Sequence, residues 1–122
     1  METLKINIEQ LKKPSRQVTG IINIQIGDLF FPEKFWNDSI LNLFEAWDSS
    51  YNELQYSDEI NCEFTFFDGP YAFTLKGKGE SLEVDFIADG ISEFKTKINK
   101  GEFLAEYKIA KEKLSDFLKM LP

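Results

Sequence analysis

The stretch that decides the fold is Ile60–Gly90, INCEFTFFDGPYAFTLKGKGESLEVDFIADG. Apolar and polar residues alternate along three runs, and glycine-containing segments at 68–70 and 77–80 separate the runs. Alternation with a period of two predicts half-buried strands, and short turns join strands that are antiparallel neighbours. The stretch therefore predicts an antiparallel meander, and a weaker alternation over 94–98 adds a further strand.

The segments before this meander predict two more strands and a helix. Leu4–Ile8 and Val18–Ile26 alternate in the same way, and their short polar connection favours an antiparallel pair. A helical stripe of apolar residues follows, and Pro32 suits a first helical turn, so we expect the helix to begin near Pro32. The pattern allows two positions for the end of this helix, near Trp47 or at about Leu54.

The segment after the meander predicts a long helix. Apolar residues from Phe103 to Leu121 recur at spacings of three and four, and Asn99 with Glu102 resembles a capping box. A competing interpretation places a strand at 103–109 before a shorter helix. We prefer the long helix and predict a single α+β domain over 1–122. Its antiparallel sheet has five to six strands, two helices pack on one face, and the order is ββαββββα.

Composition excludes several functional classes. The chain has no histidine, which removes Ser-His-Asp and Cys-His catalysis and the common zinc motifs. Its single cysteine forbids an internal disulfide, and the start of the chain lacks the pattern of a signal peptide, so we expect a cytoplasmic protein. A net charge of −7 disfavours nucleic acid and anionic membranes as partners and favours basic proteins. We expect no cofactor, no bound metal and no enzymatic activity.

Two features that resemble chemical motifs have simpler explanations. Gly77–Glu80 resembles a phosphate-binding loop, but it leads into a predicted strand rather than a helix, so we interpret it as a hairpin turn. Cys62 lies on the apolar face of its strand and has no histidine to accept its proton, so we place it in the core.

Acidic residues on the polar side of the meander are the candidate partner-binding residues. Glu83 and Asp85 share one face of their strand, and Glu63 is predicted to join them from a neighbouring strand. Lysines lie on the same face, so three interpretations stay open: a solvated face with cross-strand ion pairs, an acidic surface for a protein partner, or a catalytic or Mg²⁺-binding pair of carboxylates. Phe67 falls on the polar side of its strand and adds an aromatic candidate.

Two further segments carry a family resemblance. They are Phe31–Lys34 with Trp36, Asn37–Asp38 and Trp47, and the turn Phe67–Tyr71. Together they resemble small acidic bacterial proteins, several of which look like immunity proteins of polymorphic-toxin or contact-dependent inhibition systems. The resemblance implies a non-enzymatic inhibitor that neutralises a basic toxin through an acidic surface.

The leading hypothesis is thus an inhibitor or immunity-type protein that binds its partner through Glu63, Glu83, Asp85 and Phe67. The loops at Asp68–Pro70 and Asp89–Gly90 are the next candidates. The alternative is a small-molecule binding module or minor enzyme with an aromatic pocket around Trp36, Trp47 and Tyr71. A mimic of nucleic acid differs from the first hypothesis only in what its partner normally binds.

Overall fold

The computed structural model describes residues 1–121, which form eight strands and two helices in the order ββββαββββα. In chain order the elements are β1 (Leu4–Lys12), β2 (Thr19–Ile26), β3 (Leu29–Phe31), β4 (Asn37–Ser39), α1 (Ile40–Tyr56), β5 (Glu59–Thr65), β6 (Tyr71–Lys78), β7 (Ser81–Ala88), β8 (Ile91–Asn99) and α2 (Lys100–Lys119).

The predicted meander is confirmed as one antiparallel sheet with the strand order β5-β6-β7-β8. Each strand pairs with the next in sequence, and the alternation of β5 is complete, with Ile60, Cys62 and Phe64 buried and the residues between them exposed. The weak strand predicted over 94–98 is β8, which begins earlier, at Ile91. Gly77–Glu80 lies at the β6–β7 connection, as the hairpin interpretation requires.

The N-terminal strands form a second four-stranded sheet, so the prediction of a single sheet of five to six strands is wrong in detail. The expected antiparallel pairing of β1 with β2 is confirmed. On its other side, β2 pairs with both β3 and β4. These two strands have only three residues each, which is too short for a readable alternation.

The first helix begins at Ile40, not near Pro32 as predicted. The free edge of β2 explains the difference, because it offers backbone groups that β3 and β4 satisfy before the helix begins. Ile22 donates its amide proton to the Trp36 carbonyl, and Thr19 and Ile21 face Ser39 and Asn37 in register. The longer of the two predicted ends is the better one, since α1 continues to Tyr56.

The long C-terminal helix is confirmed, and the competing strand at 103–109 is wrong. Asn99 caps α2, and its side-chain oxygen accepts a hydrogen bond from the Glu102 amide at 2.9 Å. Phe103, Tyr107, Ala110 and Leu114 form the buried face of the helix.

Both helices contribute to an aromatic core on the inner face of the β5–β8 sheet. From α1, Trp47 packs edge to face on Phe64, Phe66 and Phe73. From α2, Phe103 packs on Phe64 and Phe73. The opposite face of this sheet carries the predicted polar residues, among them the exposed side chains of Glu63, Glu83, Lys95 and Lys97.

Side chains close two of the sheet edges. Along β5, the carbonyls of Glu63 and Thr65 accept hydrogen bonds from Ser50 and from the indole nitrogen of Trp47, both in α1. Along β1, the Ile6 amide donates to a carboxylate oxygen of Glu106 in α2, at 3.1 Å. These contacts use backbone groups that an edge strand otherwise leaves unpaired.

Candidate functional site

The outer face of the β5–β8 sheet brings the three predicted acids together in two neighbouring rows. One row runs Glu63–Thr74–Asp85–Lys95 across the four strands. The next row runs Asn61–Lys76–Glu83–Lys97. Glu63 and Glu83 are exposed, and Asp85 is half-buried.

The three acids have different surroundings. Glu83 lies between Lys76 and Lys97, which is the arrangement expected of a solvated face with cross-strand charge pairs. Asp85 faces Lys95 and accepts a hydrogen bond from the Ser92 hydroxyl at 2.5 Å. Glu63 faces Thr74 and lies at the edge of the sheet with no lysine beside it in register. Glu63 is therefore the predicted acid whose charge is least compensated.

Phe67 belongs to the β5–β6 turn, and its side chain is 49% exposed. Its backbone amide is hydrogen-bonded to Asp38, a residue with no exposed surface. One carboxylate oxygen of Asp38 accepts hydrogen bonds from the amides of Phe67 and Asp68 and from the indole nitrogen of Trp36, at 3.0, 3.4 and 3.0 Å. The other oxygen accepts from the Ser39 amide at 2.7 Å. The Asp38 carboxylate thus fixes the turn that presents Phe67.

The two segments that carry the sequence resemblance meet at this turn. Trp36 packs edge to face on Tyr71, with ring centroids 5.1 Å apart, and Phe31 packs on the other side of Tyr71 at 5.8 Å. Gly69 lies against both rings, because a Cβ atom at this position would come within 2.8 Å of Trp36 and 2.9 Å of Tyr71. The turn and β4 are therefore packed together as one unit.

A depression of about 410 Å³ opens on the outer face beside this turn. It lies between the β5–β6 turn and the β7–β8 turn, which are joined by a 2.9 Å hydrogen bond from the Asp89 amide to the Pro70 carbonyl. Its lining contains two carboxylates and no basic side chain: Glu63, Thr65, Phe66, Gly69, Pro70, Tyr71, Ala72, Ile87, Asp89 and Gly90. We call this site the turn depression. It includes one predicted residue, Glu63, and parts of both loops that were the next candidates.

Lysines lie beside acids elsewhere on the surface, but no lysine lines the turn depression. Within residues 1–121, the one ion pair is Lys111 with Asp48, between the two helices, at 2.9 Å. Two other surface depressions mix charges, since one includes Lys108, Lys111 and Glu112 and the other includes Glu2 and Lys97. The turn depression differs from both because its negative charge stands alone.

The sequence analysis missed a polar cluster between the helices. The Tyr107 hydroxyl donates to Asp48 at 2.8 Å, Lys111 contacts both oxygens of the same carboxylate, and Tyr51 stacks on the Tyr107 ring. Burial, followed by the hydrogen bond and charge of Asp48, raises the pKa of the Tyr107 hydroxyl. The cluster joins α1 to α2 and explains why a tyrosine is tolerated in the core.

Two side chains that were considered for a catalytic or ligand-binding role, Cys62 and Trp47, are buried in the core. Cys62 is buried as expected, and burial, with a smaller contribution from the charge of Glu53, raises the pKa of its thiol to about 12. Trp47 is also buried, and its nearest rings are those of the central sheet rather than Trp36 or Tyr71. These side chains fill the interior and do not line the turn depression.

No group of three or more His, Cys, Asp or Glu side chains is placed to hold a metal ion among residues 1–121. No helix in the same range is long and apolar enough to cross a membrane. In comparisons with known proteins, no family model matches the chain, and neither a curated protein nor a solved structure is similar to it.

Proposed function

We propose that this chain is a protein-binding inhibitor of the immunity type, which neutralises a basic partner protein such as a toxin without catalysing a reaction. The observation that supports it most directly is the turn depression, where apolar surface lies beside two carboxylates and no lysine. Interface centres combine apolar contact area with few, well-placed charges. The partner surface in this proposal comprises Glu63, Asp85 and Phe67, with the Asp68–Pro70 and Asp89–Gly90 loops.

Charge supports the choice of partner. The chain carries 21 acidic and 14 basic side chains, and the net charge of −7 attracts a basic protein over distances longer than a contact. Such steering raises association rates and decreases with added salt. Glu83 lies farther from the turns and between two lysines, so we assign it a smaller part than Glu63.

Rigidity of the site also supports the proposal. The four hydrogen bonds to Asp38 and the bond between Asp89 and Pro70 hold both turns in place before any partner arrives. A surface that is already ordered loses less conformational entropy on association, which favours tight binding.

The experiment begins with a tagged copy of the protein, which captures a partner from an extract of the source cells at low and high salt. The purified partner is then measured against two variants by surface plasmon resonance. Glu63→Gln/Asp89→Asn removes both carboxylates of the turn depression, and asparagine tolerates the positive φ of 52° at position 89. Glu59→Gln/Glu80→Gln makes the same change in net charge at exposed positions away from the two turns.

We expect the first variant to bind roughly tenfold or more weakly and the control variant to bind within about threefold of the original. Equal losses in both variants would mean that only net charge matters, and the site would then lie elsewhere. A Phe67→Ala variant with unchanged affinity would remove Phe67 from the interface. Failure of every purified basic partner to bind would overturn the proposed function.

A further inference from the structure

We infer that the turn depression receives an arginine side chain of the partner protein. This inference rests on the proposed function and names the group that the site recognises. Three properties of the depression carry it: its shape, its apolar lining and the position of its two carboxylates.

The lining matches the long apolar stem of an arginine. Ala72 and Ile87 face each other across β6 and β7, and Pro70 continues this apolar surface toward the turn. Arginine and lysine both bury their methylene stems against such surfaces while the charged group stays at the rim. The depression, of about 410 Å³, is open to solvent, so a stem can lie in it while the charged group stays hydrated.

The two carboxylates provide the charge that such a head group requires. Glu63 comes from β5, and Asp89 comes from the turn between β7 and β8, so the acids approach the depression from different elements. Neither forms an ion pair with a lysine or arginine among residues 1–121. A cation that binds here therefore does not have to displace one of the protein's own lysines.

The preference for arginine over lysine follows from the geometry of the head group. A guanidinium is planar and has five N–H donors directed outward in one plane, which can form two parallel hydrogen bonds to one carboxylate. Such a pair can form with Glu63 or with Asp89 while the stem lies on Ala72 and Ile87. A guanidinium is also more weakly hydrated than an ammonium, so it loses less when it gives up part of its hydration to contact a carboxylate at the rim.

The test uses small probes, so it does not depend on the partner. N-acetyl-arginine-N-methylamide is titrated into ¹⁵N-labelled protein, and the backbone amide signals are followed by NMR. The matched control probe is the citrulline analogue, which keeps the length and nearly the shape but carries no charge. The lysine analogue forms the third arm.

We expect saturable shifts centred on Ala72, Ile87 and Gly90, with an affinity for the arginine probe at least fivefold above citrulline and above lysine. Glu63→Gln/Asp89→Asn should remove the shifts, while the same spectra report that the variant is folded. Shifts that are equal for arginine and citrulline would overturn the inference. Shifts scattered over other exposed acids such as Glu83 would do the same.

The outcomes separate this inference from the function on which it rests. If a basic partner binds and loses affinity in Glu63→Gln/Asp89→Asn, but the arginine probe does not bind, the proposed function stands and the arginine inference fails. If the probe fills the depression while the partner binds the variant normally, the site takes arginine but is not the interface.

Discussion

The two ends of the β5–β8 sheet are built differently. At the turn end, which carries the turns 66–70 and 89–90, one buried carboxylate holds backbone and indole groups, and the surface above it is apolar and acidic. At the helix end, where α1 leads into β5 and β8 leads into α2, backbone groups bond to each other, as in Gly79 to Asp58 and Lys100 to Glu80. Lysines and acids alternate on the surface there.

The difference indicates that buried groups determine the shape of the surface at the turn end but not at the helix end. The helix end is held by ordinary turn and cap hydrogen bonds, and its charges have opposite charges as neighbours. The turn end has a carboxylate with no exposed surface, and a glycine that leaves room for two aromatic rings. Buried polar groups are costly unless fully hydrogen-bonded, so a site that contains one is constrained to a single arrangement.

The largest expected effect comes from Asp38→Ala at the turn end. The substitution leaves the donors of Trp36, Phe67, Asp68 and Ser39 without their acceptor, so we expect the free energy of unfolding to fall by about 3 to 5 kcal/mol. Urea denaturation measures this change.

The matched substitution at the helix end is Asn99→Ala, which removes one exposed cap and should cost about 1 kcal/mol. Equal losses at the two positions would show that the ends are held equally and would remove the distinction between them.

A smaller effect is expected from placing alanine at one glycine of each end. Gly69→Ala forces its new methyl group against Trp36 and Tyr71, and we expect a loss of about 2 to 3 kcal/mol in unfolding free energy together with altered tyrosine and tryptophan fluorescence. Gly79 has open space around it but a positive φ of 71°, so Gly79→Ala should cost only about 1 kcal/mol and leave the spectrum unchanged. Thermal and urea unfolding compare the two. A smaller loss at Gly69 than at Gly79 contradicts the close packing.

The last expected effect concerns the strand between the two ends, and it appears as a pH dependence. The pKa of the Cys62 thiol rises from 9.0 to about 12 on folding, so above pH 9 the unfolded chain loses this proton while the folded chain keeps it. The contribution of this thiol to the free energy of unfolding is therefore fully present below pH 9 and decreases as the pH rises. Between pH 9 and 11, the original protein should lose about 2 kcal/mol more than Cys62→Ala does. Parallel pH profiles for the two proteins would show that the thiol ionises freely in the folded state.

The sequence was sufficient for features that repeat along the chain. Alternation over eight or so residues predicted β1, β2 and the meander, and the spacing from Phe103 to Leu121 predicted α2. The short strands β3 and β4 were missed because pairing with β2, rather than their own pattern, determines them. The same pairing delays the start of α1 to Ile40.

The candidate site was predictable only in part. Glu63 and Phe67 stand out in the sequence because each is predicted on the polar side of a strand, although Phe67 lies in the turn that follows β5. Ala72 and Ile87 give no such signal, since their role depends on facing each other across two strands. Asp38 looked like an ordinary helical residue, and nothing in the linear sequence brings it to residues 67 and 68. The roles of these residues are determined by strand register and tertiary contacts, which the local sequence pattern does not show.

The closed sheet edges also affect how copies of the chain can contact one another. Trp47 and Ser50 occupy the outer carbonyls of β5, and Glu106 occupies an outer amide of β1. On β8 the extra residue Glu93 forms a bulge, and Lys95 and Lys97 follow it along the strand. Bulges, charges and covering side chains all oppose strand addition between copies, which is the usual first step of aggregation. We therefore expect a chain with these edges to resist polymerisation through its sheets at high concentration.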